Sequence, residues 1–430
     1  MNRLFYFILF YFFSTSCSLN EDSKLWKKKN IQKDENTKLI LVKEKKFTKE
    51  FNSQIKLDLS KIKIQNKIFD NQNNFGSLEY SGSLNKVGIF KFRKFKDIDS
   101  INSKPLFLKD SLIFFDNAGA LIRYDNNQKI IWKKNYYSKY EKKMSPKLTF
   151  QINENKLIIT DNLAKLYLVN INNGNIIWSQ KSVYPFNSQI KIYKDKFFAV
   201  DYKNIIRCFN LEDGSECWSL QTENSLTVSG SKYSIIIVNE QVIFNNSVGD
   251  VTAIDIETGL IAWQVPTQNN TIINETYNFK TSNLVSDGSS IFFSNNKDEI
   301  YSISAKNGVI KWKNNISSNL TPILIDNLIF TISEDGFLFI LEKTRGKIIR
   351  VNDIYKGYSF KKRKNIKPVG FSIGKNLLYL SNNDGKLLVV ELTSGNILKE
   401  EKISRKFISE PFIYDKKLFI VKNGSIIKYN

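Results

Sequence analysis

A single hairpin recurs along the chain: a short apolar strand, an Asp or Asn, a turn containing Gly, and a second strand that closes on Trp. The clearest copies are LVNINNGNIIW (Leu168 to Trp178), CFNLEDGSECW (Cys208 to Trp218), AIDIETGLIAW (Ala253 to Trp263) and SISAKNGVIKW (Ser302 to Trp312). In these, Gly174, Gly214, Gly259 and Gly308 each stand four residues before the Trp. IRYDNNQKIIW reaches Trp132 without the Gly, while FILEKTRGKIIR and VVELTSGNILK keep Gly346 and Gly395 but put Arg350 and Lys399 in the Trp slot. The seven anchors lie 46, 40, 45, 49, 38 and 49 residues apart. A period of about 45 residues made of short strands and Gly turns predicts an all-β chain, a β-propeller with one four-stranded blade per repeat.

The stretch from Tyr233 to Trp263 shows a whole unit. Apolar runs at Ile235 to Val238, Val242 to Phe244, Val251 to Ile256 and Leu260 to Trp263 are separated by polar or Gly turns at strand-length intervals. Gly259 supplies the positive φ of the last turn, and Asp255, like Asn170 and Asn210 in theirs, is placed to accept backbone amides of that turn. Trp263 falls on the outermost strand, where it covers the junction to a neighbouring blade. These Asp, Gly and Trp positions are structural, not a catalytic set.

Seven hairpins leave a remainder at each end. Ile408 to Asn430 supplies three strands and no fourth, while VGIFKFRKF (Val87 to Phe95) is an alternating strand with no blade of its own. Pairing the two completes an eighth blade and removes the open edges of an unclosed ring. The expected organisation is a signal peptide over 1–16, a charged tether over 17–80 and a propeller over 81–430.

The complete absence of histidine excludes Ser-His-Asp and Cys-His catalysis and His-ligated metals. Cys17, Cys208 and Cys217 are the only thiols, so no metal or redox cluster of Cys and His forms, and no cofactor is expected. The formal charge of +22 is spread along the whole chain among Asn and Ile, which reads as a solvated surface and not as a nucleic-acid stripe. One run stands out, Lys361-Lys362-Arg363-Lys364 with Lys356 and Lys367 nearby. It reads as a solvated loop, the alternative being contact with anionic lipid headgroups.

The chain starts MNRLFYFILFYFFSTS, with one Arg and then ten apolar residues from Leu4 to Phe13, too short to span a bilayer as a mature helix. The following Ser14-Thr15-Ser16-Cys17 resembles a bacterial lipobox in which Cys17 is lipidated, with Ser14 where Leu is usual. Ser14 and Ser16 also satisfy an ordinary small-x-small cleavage site. Without Asp at position 18, a lipidated chain resembles those sent to the outer membrane. Beyond it the sequence is rich in Lys, Asn, Asp and Glu with weak alternation in Gln54 to Ile64, a tether with at most one attached strand.

The repeated hairpin resembles the tryptophan-docking motif of quinoprotein-type eight-bladed propellers, over about Ser81 to Asn430. Within that superfamily the exported leader, charged tether and compact ring are similar to the BamB family of outer-membrane β-barrel assembly lipoproteins. The resemblance implies a non-enzymatic scaffold on the periplasmic side of the outer membrane that binds the POTRA repeats of the barrel-inserting subunit and also unfolded barrel substrates. Ser225 to Ser231 resembles the family's partner-binding loop: Leu226 and Val228 match its aliphatic positions and Gly230 its glycine, but Ser229 stands where Arg is usual. A second family loop, acidic elsewhere, here reads Asn278-Phe279-Lys280.

Two alternatives share the fold. One is a quinone-dependent dehydrogenase, which by resemblance holds pyrroloquinoline quinone over a central Trp and under an adjacent-Cys disulfide; this chain has no such Cys pair. The other is a propeller that binds another envelope ligand. Cys208 and Cys217 face one another if Asn210 pairs with Ser215, so that either a disulfide or two reduced thiols fits the hairpin.

Overall fold

The computed structural model describes residues 50–55, 57, 70–97, 99–222, 232–267 and 279–430. The expected signal peptide, Cys17 and the tether as far as residue 49 lie outside the described residues.

Strands that are apolar on both faces must be covered on both faces, and a ring of radially packed sheets does this. In the fourth blade the three inner strands, Ile235–Val238, Gln241–Asn245 and Val251–Asp255, are almost wholly buried. The outer strand Ile261–Val265 buries only Trp263 in its middle. Eight such sheets form a β-propeller, with blades at 106–134, 148–181, 191–221, 235–265, 285–314, 323–353, 368–402 and 412–429. The eighth takes its outer strand from the front of the chain: Lys86–Lys91 pairs antiparallel with Ser425–Tyr429. The expected closure, and with it eight blades, is what the fold contains.

Every blade carries a β-bulge in its outer hairpin, at the residue just before the Trp slot. Ile131, Ile177, Cys217, Ala262, Lys311, Ile349, Leu398 and Val87 are the skipped residues. A bulge bends the strand and re-aims the next side chain, which turns the Trp toward the following blade. It also corrects the cysteine pairing. Asn210 does bond Ser215, but the bulge places Trp218 opposite Cys208 and leaves Cys217 outside the ladder. Both thiols are free, Cys208 buried and Cys217 exposed. Burial, with the Cys217 thiol beside it, pushes the Cys208 thiol well above its ordinary pKa, and Cys208 packs in the core as a small hydrophobe.

Candidate functional site

The docking motif works between blades. The indole N–H of each Trp donates to a backbone carbonyl of the next blade's hairpin: Trp132 to Ile171 at 2.9 Å, Trp178 to Leu211 at 3.2 Å, Trp218 to Ile256 at 2.9 Å, Trp263 to Ala305 at 3.3 Å and Trp312 to Lys343 at 3.0 Å. The indole face lies on the same hairpin's Gly. At Gly259 the φ is +71°, and an added Cβ would come within 2.8 Å of Trp218 Cγ. Asp255 Oδ1 accepts from the amides of Glu257 at 3.1 Å and Thr258 at 2.8 Å, as expected for the turn.

Where the Trp is missing, other groups take the slot. Arg350 is fully buried; its guanidinium donates to Leu392 O at 3.1 Å, the counterpart of the carbonyls above, and also to Thr393 O and Asn352 Oδ1. Asn352 lies over Gly395 in place of an indole. Arg350 also donates to Ile55 O at 2.9 Å, from a segment laid along the outer edge of the sixth blade. There Phe51 and Val351 exchange backbone bonds of 3.1 and 2.8 Å. Gly88 fills the Trp slot of the eighth blade, and Gln128, in the Gly slot of the first at φ +64°, packs its amide against it.

Asp70–Tyr80, expected as the end of the tether, crosses the centre of the ring. Asn73 is buried there, donating to Gln189 Oε1, Ser234 Oγ, Ile235 O and Leu284 O at 3.0–3.3 Å and accepting from Lys191 Nζ at 2.8 Å. Those partners belong to the innermost strands of the third, fourth and fifth blades or to the residues just before them. Ser77–Leu78 then pairs in parallel with the inner strand of the seventh blade. Burial raises the pKa of Asp70, but Lys191, Lys104 and the Gln151 amide outweigh it and hold the carboxyl at about 2. Burial lowers the Lys191 ammonium to about 8 against the pull of Asp70. Nothing periodic announces this segment, because apart from the two-residue pairing of Ser77–Leu78 it is held by side chains and not by a strand ladder.

Leu226, Val228 and Ser229 lie within 223–231, outside the described residues. Their described flanks, Thr222 and Lys232, place that connection between the third and fourth blades. The second loop belongs to the next junction. Asn278 is outside the described residues, Phe279 is buried against Gly249, and Lys280 is exposed. In a four-stranded antiparallel blade every outer-to-inner connection lies on one face, so both junctions open on the same face of the ring. Phe279, in the second loop, is a core residue. Among the described residues no three Asp, Glu or Cys side chains gather in a metal-binding group.

Residues 111–352 match the family described as outer membrane protein assembly factor BamB. BamB from Moraxella catarrhalis is similar in structure, with a TM-score of 0.66 at 15% identity, covering 81% of this chain and 99% of that one. The quinohemoprotein alcohol dehydrogenase of Comamonas testosteroni is similar at TM-score 0.62 and 10% identity, covering 82% and 78%. A europium-containing methanol dehydrogenase gives 0.62 and 9%, covering 80% and 86%. No curated protein matches the sequence. At such identities the structural likeness is one of fold. The residues do not fit a quinone of the dehydrogenase kind: Asp70–Tyr80 crosses the centre of the ring, the five docking Trp residues are on outer strands, and no two Cys are adjacent.

Proposed function

The chain belongs to the family of the outer membrane protein assembly factor BamB, and from that premise we propose that it is a non-enzymatic scaffold of the outer-membrane protein assembly machinery. It is anchored through a lipidated Cys17 at the periplasmic side of the outer membrane. It binds the POTRA repeats of the barrel-inserting subunit through Leu226 and Val228, with Ser229 beside them, and presents its outer strand edges to extended segments of unfolded barrel substrates. The observation that carries this reading is the family match over more than half of the chain. A ring centre crossed by the chain's own Asp70–Tyr80 supports a binding role over a cofactor-dependent one.

The test is affinity purification of the tagged full-length chain from detergent-solubilised envelopes, with mass spectrometry of the retained proteins and an absorbance scan. A POTRA-bearing barrel protein without a chromophore is expected. Leu226→Asp with Val228→Asp should abolish its recovery while leaving thermal unfolding unchanged. Retention by that double variant removes the assigned interface, and a quinone spectrum removes the scaffold.

A further inference from the structure

The basic run that the proposed function leaves unused forms a short helix, α1 (Phe360–Asn365), in the connection from the sixth blade to the seventh. Residues 354–367 hold Lys356, Lys361, Lys362, Arg363, Lys364 and Lys367 and no acidic residue. Four of these cations have acidic neighbours: Lys356 with Glu50, Lys362 with Glu400, Arg363 with Asp353 and Lys367 with Asp335. Lys361 and Lys364 are exposed and have no ion-pair partner among the described residues. Phe360 stands between Ser359 and Lys361 with 85% of its surface exposed, more than any other large hydrophobic side chain described. Beside it a shallow hollow of about 320 Å³ is lined by Ser359, Lys361, Lys362, Asn365, Ile366 and Asp384.

The path of the front of the chain points this surface at a particular partner. Phe51 makes an antiparallel bridge with Val351, so Glu50 lies at the end where the strand Ile348–Asp353 leaves for α1. Its carboxylate accepts from the Asp353 amide at 3.1 Å and lies 3.7 Å from Lys356 Nζ. The chain therefore enters the described ring at Glu50, at the corner that carries Asp353 and Lys356 beside α1.

We infer that α1 is a membrane-contact surface: Phe360 enters the interface of a bilayer while Lys361 and Lys364 bind anionic phospholipid headgroups. An exposed aromatic between cations without ion-pair partners suits a bilayer interface, where the ring can enter the headgroup boundary while the ammonium groups meet anionic lipid. A tether joining the ring at this corner keeps the surface at high local concentration near the lipid. The connection that carries α1 opens on the same face of the ring as the partner junctions, at a separate junction.

The inference rests on the membrane-tether part of the proposed function, and the test separates the two. The full chain is mixed with vesicles of phosphatidylethanolamine and phosphatidylglycerol, or of phosphatidylcholine alone. Flotation reports attachment, and amide exchange by mass spectrometry reports the peptide 354–367. The expected result is flotation with both lipids and exchange slowed roughly tenfold at α1 on the anionic vesicles only. That slowing should be lost at high salt and in Phe360→Ser with Lys361→Gln and Lys364→Gln, whose exposed positions leave folding intact. Flotation on anionic vesicles without protection at α1 overturns the surface and leaves the tether. No flotation on either overturns both. Equal protection on the two lipids, or protection only in native envelopes with their proteins, also overturns it.

Discussion

The junctions from the first blade to the sixth and those from the sixth back to the first hold the same ring by different means. In the former each Trp spans to the next hairpin, donating to its carbonyl and covering its Gly. In the latter the Trp slots hold Arg350, Lys399 and Gly88, and the front of the chain is laid where the indoles are missing. Ile55 O bonds Arg350, Ser83 O accepts from Lys399 Nζ at 3.3 Å, Tyr80 packs on Tyr379, and Lys86–Lys91 completes the eighth blade. One part is closed by its own repeats and the other is stitched by a separate segment. A repeat can drift from its motif only where something else satisfies the carbonyls and fills the space that the motif served.

The largest effects should come from emptying one slot of each kind. Trp263→Ala removes a 9% exposed indole and should cost roughly 3–5 kcal/mol. Arg350→Ala strands the carbonyls of Ile55, Thr393 and Leu392, and a comparable loss of roughly 3–5 kcal/mol is expected. The two differ in where they act. Arg350→Ala should also free Glu50–Ile55, so the Phe51 and Val351 amides exchange faster, while Trp263→Ala leaves them protected. Denaturant unfolding combined with amide exchange reads both. Equal protection of those amides in the two variants would erase the distinction between the two parts of the ring.

The next contrast is between the glycine slots. Gly259→Ala combines a positive φ with a Cβ pressed on Trp218 and should cost about 1–3 kcal/mol. Gln128→Gly relaxes a φ of +64° while losing the amide packed on Gly88, and the net change should stay within about 1 kcal/mol. Thermal unfolding of the pair checks this. A Gln128→Gly loss as large as that of Gly259→Ala would show that the inverted pair is as tightly docked as the Trp pairs.

The architecture was readable because it is written in periodic apolar runs and repeated Gly and Trp positions, and the eighth blade because strands of matching alternation were left over at both ends. The cysteine register was not readable. Counting residues back from the turn places Cys208 opposite Cys217, and only the bulge that re-aims Trp218 breaks that count. Asp70–Tyr80 was illegible for a different reason. It bonds through Asn73, Gln151 and Lys191 side chains, which reach across the ring and leave no period in sequence. The attached strand expected within Gln54 to Ile64 falls mostly outside the described residues; ahead of that span, Phe51 makes one antiparallel bridge with Val351. The candidate partner residues Leu226, Val228 and Ser229 rest on the sequence resemblance, since they lie outside the described residues.

Acid offers the mildest probe, and it separates the Trp junctions from the central segment that touches the inner strands of the same blades. The Trp junctions dock through indole N–H groups and carbonyls, neither of which titrates. The central segment holds Asp70 at about 2, below its ordinary 3.8, through Lys191, Lys104 and Gln151. A depressed carboxyl stabilises the fold above its unfolded value, and that contribution is lost as the pH falls from about 3.8 through about 2. Asp70→Asn carries no charge at any pH, so it should be the less stable chain near neutrality and should converge on the parent as acid protonates Asp70. The gap will be small, because the Asp70 side chain is 36% exposed and water screens its partners. Thermal unfolding of both chains from neutral pH down to about pH 2 measures it. A gap that stays constant to the acid end would mean that the amide contacts of Asn73, and not the Asp70 charge, hold the segment in the ring.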